Sequence, residues 1–365
     1  MDVREFDFDL PTDLIAQEPA AERSGARLLH LDRSTGAIVH TTVGNLPTLL
    51  HAGDVVVVNN TRVFPARLLG RRVPSGGAVE CLLTAPLGKE RGRTGDEDVS
   101  VPGGQATSLW EALVHPGQKL KPGARVVFDG PPTLHAEILE RRFFGRRTVR
   151  LWTDDGSPVD AAIDAIGHVP LPPYIKRGDT VDDRDRYQTV FARSRGSVAA
   201  PTAGLHFTGP LLEALAARGV MVAEITLHVG YGTFQPVRVD RVEDHRLEPE
   251  RYAIDDRAAS LVNCALTEGR RVIAVGTTTT RTLEAVALAH NGRIVGGEGA
   301  TDLFIHPGFE FRVIRGLLTN FHLPRSSLLM LVAAFAGHNR VRDAYAAAIE
   351  ARYRFYSYGD AMLIT

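Results

Sequence analysis

The chain has 365 residues, 44% hydrophobic and 23% charged, with a net charge of −1. That is the make-up of a soluble globular protein of one large or two ordinary domains. The near-neutral balance argues against indiscriminate polyanion binding, which goes with a strong basic excess, and leaves room for a local basic face.

Lysine occurs only at Lys89, Lys119, Lys121 and Lys176, so the basic residues are nearly all arginine, which suits bidentate contacts with phosphate or carboxylate. Cys81 and Cys264 lie far apart in the apolar runs VECLL and LVNCAL. They offer no disulfide framework or thiolate zinc site, and both read as small buried hydrophobes. MDVREFDFDLP carries no secretory pattern, and SSLLMLVAAFAG is too short to span a bilayer. A reducing cytoplasm is the expected compartment.

In chain order, FDFDLPTDLIAQEP predicts aromatic alternation and then a short helix over LIAQ, with Asp or Thr as its cap. LPTLLHAG predicts a helical turn ending at Gly53, and Val55 to Val58 a buried strand. From Arg67 the texture changes to short alternating runs between Gly and Pro turns: RLLGRRV, AVECLLTAP, LWEALVHPG, ARVVFDG, LHAEILERR and RRTVRLW. These predict a small antiparallel sheet or barrel. Within it, residues 87–108 are polar and glycine-rich and read as a mobile hairpin loop. After Trp152 the pattern is mixed again. SPVDAAIDAIG, GPLLEALAARGV, TTTTRTLEAVALAH, SSLLMLVAAFAG and VRDAYAAAIEARYRF predict helices, while MVAEITL and RRVIAVG predict strands. The prolines of GHVPLPPYIKRGD exclude a helix there. The expected fold class is a mixed α/β large domain, residues 1–66 and 152–365, with a small antiparallel β-barrel domain inserted at 67–151.

Four segments put polar groups at strand ends or glycine turns, where sites in α/β sheets form. In PTAGLHFT, on a strand His206 would face away from Leu205 and Phe207, either into a cleft or onto a backbone carbonyl. In ITLHVGYGTF, His228 precedes the turn Gly230-Tyr231-Gly232. In VIAVGTTTTRTLEA, a buried strand meets Gly276 and a helix start rich in hydroxyls. That start fits a phosphate or carboxylate, and Arg281 and Glu284 share a helix face that suits an amino acid's two charges, or a plain surface ion pair. In LLTNFHLPRSSLLMLV, Asn320 and His322 stand before an apolar helix and are held near the core. Thirteen histidines occur without metal-ligand spacing, and no nucleophile elbow or dinucleotide fingerprint appears. The residues alone point to a small-molecule enzyme with a nucleotide or amino-acid ligand.

Taken together, the motifs resemble one family. They are NxTRVxPARLxG (Asn59 to Gly70), GHVPLPPYIKR (Gly167 to Arg177), DRxRYQTVFA (Asp183 to Ala192) and GSVAAPTAGLHFT (Gly196 to Thr208). ITLHVGxGTFxPV (Ile225 to Val237), RVIAVGTT (Arg271 to Thr278), TNFHLP (Thr319 to Pro324) and YRFxSYGDAMLI (Tyr353 to Ile364) complete the series. The series is similar to S-adenosylmethionine:tRNA ribosyltransferase-isomerases of queuosine biosynthesis and covers nearly the whole chain in order.

The resemblance implies a large domain carrying a β-barrel and an unusual use of S-adenosylmethionine. The ribosyl part moves to the aminomethyl group of 7-aminomethyl-7-deazaguanine at the tRNA wobble position. It rearranges to the epoxycyclopentenediol of epoxyqueuosine, and adenine and methionine leave. The expected partners are that tRNA and S-adenosylmethionine, with no metal, no further cofactor and no membrane; a monomer is expected. His206, His228 and His322 become candidate proton handlers, because histidines titrate near the working pH. Thr202, Gly204, Gly230, Gly232, Gly276, Thr277, Thr278, Arg281, Glu284 and Asn320 become candidate contacts to S-adenosylmethionine. Tyr187 and Gln188 are candidates for stacking on and bonding the deazaguanine, and Arg62, Arg67, Lys176, Arg177, Arg193 and Arg195 for phosphate.

The chain departs from the family pattern at several points. Asn60 stands where the family usually has Asp, Tyr231 where it has Ala, and Glu248 where it has a second histidine beside His245. TTTTR stands for the usual TTSVR. These departures keep open a diverged transferase with a non-tRNA acceptor, and a catalytically inactive RNA-binding homologue.

Overall fold

The computed structural model describes residues 1–89, 107–142, 145–234 and 237–365. By contact the chain divides into two compact units. One comprises residues 1–62, 172–178 and 185–365, the other residues 63–171 and 179–184.

The first unit begins with β1 (Arg27–Leu31), β2 (Ile38–Thr42), α1 (Leu46–Leu49) and β3 (Val55–Asn59). Before them, the predicted LIAQ helix is absent. Val3–Phe6 and Thr12–Leu14 form 3-10 turns instead, and Ile15 makes an isolated bridge with Phe355. Pro11 precedes the second turn, and three residues of tight turn satisfy the backbone where a full helix would have to start. Thr61–Val63 forms β4.

The second unit is the expected antiparallel barrel. It closes through β5 (Arg67–Val73), β6 (Ala78–Lys89), β7 (Ser108–His115), β8 (Arg125–Phe128), β9 (Leu134–Arg141) and β10 (Arg146–Thr153), in the order β10-β7-β6-β5-β8-β9. Alternate residues such as Leu134, Ala136 and Ile138 point inward and are buried, as a closed barrel requires. Lys89 pairs with Ser108, so residues 87–89 and 108 of the expected loop are strand. The mobility expected for that loop otherwise falls on 90–106, outside the described residues. Cys81 lies in the barrel wall and is buried. The short α2 (Val159–Ile166) packs against β9 and β10.

The chain continues with α3 (Asp183–Arg186), β11 (Ser194–Ser197), α4 (Gly209–Ala217), β12 (Met221–Leu227), β13 (Glu250–Ile254) and α5 (Asp256–Thr267). Then come β14 (Val272–Val275), α6 (Thr277–Ala289), β15 (Gly297–Thr301), β16 (Gly316–Asn320), α7 (Ser327–Ala336), α8 (His338–Glu350) and β17 (Ala361–Ile364). A nine-stranded sheet runs in the order β15-β13-β12-β3-β14-β16-β17-β1-β2, and β11 pairs with β4 in a separate ribbon. The middle strands β12, β3, β14 and β16 are parallel.

Parallel strands must be covered on both faces, and β3 shows it. Val55 and Val57 join the apolar layer of α5, α6, α7 and α8, while Val56 and Val58 join α1, α4, Ala203 and Phe207. Both layers leave the carboxyl ends of the parallel strands for a site. One cysteine departs from expectation: Cys264 lies exposed on α5, its thiol 3.0 Å from Glu268 Oε1. Among the described residues no helix is long and apolar enough to cross a membrane.

Candidate active site

Three parallel strands end at one cavity of about 410 Å³. β14 delivers Gly276, Thr277 and Thr278, β16 delivers Thr319, Asn320 and His322, and β12 delivers Val229. This is where a ligand belongs in an open α/β sheet. A second hollow of about 400 Å³, bounded by Phe6, Phe8, Leu329, Val341 and Ile349, is away from these strand ends.

Gly276 turns from β14 into α6 with φ +88°, a left-handed conformation that suits glycine. Gly276 brings no side chain to cap α6, and Thr277 and Thr278 at the helix start line the cavity, where the first amides and the helix dipole favour an anion. The run of threonines is mostly internal. Thr279, Thr280 and Thr282 donate to the carbonyls of Val275, Gly276 and Thr278 at 2.8, 3.1 and 3.0 Å. Only Thr277 and Thr278 of the four reach the cavity. Asn320 Nδ2 donates to the Tyr356 carbonyl at 3.1 Å and its Oδ1 accepts from the Thr202 hydroxyl at 2.9 Å. Thr202 also lines the cavity.

His322 is buried on the cavity wall, and its Nε2 lies 2.7 Å from Thr319 Oγ1. Its main-chain N–H donates to the Tyr345 hydroxyl, which pins the residue to α8. Burial alone pushes its pKa down to about 3, so the ring is neutral at any working pH. Tyr174 and Tyr356 also line the cavity, with centroids 4.5 Å apart, and the Tyr356 N–H donates to the carbonyl of Phe321, the residue before His322. The Tyr174 hydroxyl bonds Ser357, and burial pushes its pKa up to about 12. Tyr356 adopts φ +73°, a strained conformation for an aromatic residue, and its buried hydroxyl has no hydrogen-bond partner among the described residues.

The other two histidines sit elsewhere. PTAGLH is a 3-10 turn rather than a strand, so Leu205, His206 and Phe207 are all buried and do not alternate. His206 faces two main-chain carbonyls, Ala203 O at 3.1 Å and Gly359 O at 3.0 Å. It lies against a small cleft with Arg23 and Arg186 rather than on the cavity. Burial lowers its pKa, and the carbonyls oppose that shift. Of its two sequence readings, the backbone-bonded one matches this environment. His228 is half-buried, with Nδ1 2.9 Å from Thr61 Oγ1, itself 2.8 Å from Ser197 Oγ. Its ring presses on Gly196, where an added Cβ would lie 2.7 Å from it and φ is +153°. Burial, then the Arg251 charge, lowers the His228 pKa.

Several expected ligand contacts have other partners. A Cβ on Gly204 would meet Phe191 and Thr189 at 2.9 Å, so that glycine serves packing. Gly230 N–H donates to Glu250 at 2.8 Å, and Gly230 and Gly232 border a smaller hollow. Arg281 and Glu284 do not act together. Arg281 pairs with Glu250, while Glu284 accepts the amides of Arg312, Val313 and Ile314 at 2.8, 3.0 and 3.0 Å. Tyr187 is fully buried against Tyr358 and has no face for a base. The Gln188 carbonyl accepts from Arg23.

Among the basic residues, Arg62 on β4 and Arg195 on β11 are exposed on neighbouring strands, next to Arg193, which pairs with Glu224. Arg67 pairs with Glu80, Lys176 is exposed, and Arg177 donates to the Gln17 and Gly178 carbonyls. Asn60 donates to Glu224 at 3.1 Å and accepts from Thr226 at 2.7 Å. An aspartate there would oppose Glu224, so the amide suits its surroundings. Sequence reasoning missed Tyr174, Tyr356, Ser357, Thr319 and Thr233 as cavity residues, although all but Tyr356 are named letters of the motifs GHVPLPPYIKR, YRFxSYGDAMLI, TNFHLP and ITLHVGxGTFxPV. Among the described residues no group of three or more His, Cys, Asp or Glu side chains could hold a metal ion.

Residues 3–364 match a family described as "Queuosine biosynthesis protein". The chain is 50% identical over 365 residues to the S-adenosylmethionine:tRNA ribosyltransferase-isomerase of Heliobacterium modesticaldum, covering 100% of both chains. It is 49% identical over 364 residues to the enzyme of that name from Desulfitobacterium hafniense, again covering 100% of both. Among solved structures it is similar to the S-adenosylmethionine tRNA ribosyltransferase of Thermotoga maritima. That likeness has 37% identity and a TM-score of 0.53, covering 99% of this chain and 100% of the other.

Proposed function

This chain belongs to the family of queuosine biosynthesis proteins, and from that premise we propose that the cavity at the ends of β14 and β16 is where S-adenosylmethionine is held and its ribosyl group released to tRNA. The observation that carries the reading is the convergence there of a helix start with a glycine N-cap, a fixed asparagine and a buried histidine.

The open amides of Thr277 and Thr278 and the α6 dipole receive the methionine carboxylate. Asn320, locked by Thr202 and Tyr356, offers Oδ1 to a ribose hydroxyl. The Tyr174–Tyr356 pair gives adenine an aromatic surface. His322 removes the proton from the ribose carbon beside the sulfonium. For that role Nε2–H donates to Thr319 Oγ1 and Nδ1 accepts the proton. Its low pKa does not bar this step. Loss of the proton turns the cationic sulfonium into an ylide of zero net charge as the imidazolium forms, so the net charge of the buried site is the same before and after the step. Adenine then leaves with the glycosidic electron pair and takes up a proton. The neutral aminomethyl group of 7-aminomethyl-7-deazaguanine forms the new C–N bond, and methionine departs as the sugar rearranges.

His206 and His228 hold backbone and hydroxyl partners and serve structure. Arg62, Arg193 and Arg195, with Lys176, Arg177 and Arg67, receive tRNA phosphates. The reading needs no metal, places the enzyme in the cytoplasm as a monomer, and takes the two compact units as its catalytic and barrel domains. Its test is incubation with S-adenosylmethionine and tRNA bearing the deazaguanine. Adenine release with a mass gain on the tRNA is expected; absence of adenine release overturns it.

A further inference from the structure

A buried ion pair stands behind the cavity wall. Arg281 and Glu250 are both nearly inaccessible, at 7% and 8% side-chain exposure, and meet at 2.5 Å. Burying such a pair costs desolvation, so its presence is weak evidence for stability. Every contact it makes is structural in a directed way. Arg281 also donates to the carbonyls of Leu303 at 2.9 Å and Thr301 at 3.4 Å. Glu250 uses its other oxygen, Oε1, to accept the Gly230 N–H at 2.8 Å, with the Thr233 hydroxyl 3.5 Å away. Arg281 lies one helical turn beyond Thr277 and Thr278 on α6, whose start lines the cavity. Thr233, in the 3-10 turn Tyr231–Phe234, lines that cavity too, and with Leu328 it separates the cavity from the smaller hollow in which the ion pair sits.

We propose that Glu250 and Arg281 are positioning residues for the transferase site: the pair ties α6 to the Gly230–Thr233 turn and so fixes where Thr233 stands against bound S-adenosylmethionine. The proposal rests on the reading that this cavity binds S-adenosylmethionine. The chemistry requires a carboxylate at 250. Both of its oxygens face donors, a guanidinium on one side and an amide N–H on the other. A glutamine has one acceptor end and one donor end, so in either orientation it loses one contact and opposes a donor with a donor.

The test is the affinity of S-adenosylmethionine by calorimetry, with adenine release and KM for tRNA measured beside it. Wild-type binding and release check the underlying reading on their own, and failure there overturns that reading rather than the role of Glu250. Given wild-type binding, Glu250→Gln should weaken S-adenosylmethionine about tenfold, the size of one lost charge-assisted hydrogen bond, with KM for tRNA unchanged. Thr233→Val should weaken it in the same direction, about threefold, the size of one neutral hydrogen bond. The double variant should bind no worse than Glu250→Gln, since the two act through one contact. Wild-type affinity in Glu250→Gln, or losses that multiply in the double variant, overturns the proposal. If Glu250→Gln fails to fold, Thr233→Val decides: wild-type affinity in that variant overturns it.

Discussion

The wall of the strand-end cavity and the PTAGLH turn each bury a histidine, and burial lowers the pKa of both. They differ in what the rings touch. His206 is held between two main-chain carbonyls, whereas His322 meets one hydroxyl at Nε2 and stands on a cavity wall. Burial and titration do not separate a structural histidine from a chemical one. The partner set and the neighbouring free volume do.

The sharpest way to break this contrast is to remove each ring. His322→Gln should lower single-turnover adenine release by about 10²–10⁴-fold, the usual contribution of a positioned acid or base. A rate within a fewfold of wild type would end its role as base. His206→Phe should instead cost about 1–3 kcal/mol of stability in chemical denaturation, because a buried main-chain carbonyl loses its imidazole donor. The folded fraction should turn over at the wild-type rate, and a large fall in rate at saturating substrate would erase the distinction drawn here.

pH sharpens the comparison further. His322 has a folded pKa of about 3 against an ordinary 6.5, so between those values the unfolded chain binds the extra proton. Its contribution is full above pH 6.5 and falls as pH drops toward 3, by about 1.4 kcal/mol per pH unit at most. Denaturation at pH 6.5 and pH 5 should therefore show a smaller acid loss in His322→Phe than in wild type. An equal loss in both would show that the ring is not held neutral.

Smaller effects belong to the outer surface and the strained tyrosine. Alanine at Arg62 and at Arg195 should each weaken tRNA and reduce the salt slope by about one, without altering S-adenosylmethionine affinity. An unchanged slope would remove them from the RNA surface. Tyr356→Phe deletes a buried hydroxyl with no partner among the described residues, and it should shift stability by under about 1 kcal/mol. A larger loss would reveal a partner for that hydroxyl.

Local pattern carried much of the fold. The run Val55 to Val58, the barrel's alternating strands and the helices α4, α6, α7 and α8 were legible because apolar periodicity and glycine or proline punctuation agree there, whereas α5 was not read. The LIAQ helix was misread because three residues can satisfy their backbone in a 3-10 turn, which periodicity does not distinguish. In the site, Gly276, Thr277, Thr278, Asn320 and His322 were legible as strand-end residues. Arg281 and Glu284 were not, since sharing a helix face says nothing about partners supplied by β13 and by the loop before β16. Tyr187 was misjudged for the same reason: its motif was recognisable, its complete burial was not. Tyr174 and Tyr356 lie 182 residues apart in sequence (356 − 174) and pair only through the fold.

The most direct test of the central claim is a crystal structure of the enzyme with S-adenosylmethionine bound. The account predicts the methionine carboxylate at the amides of Thr277 and Thr278, and the ribose carbon beside the sulfur within roughly 3.5 Å of His322 Nδ1, the approach a reacting pair needs. S-adenosylmethionine seated elsewhere, or its ribose turned away from His322, would contradict it.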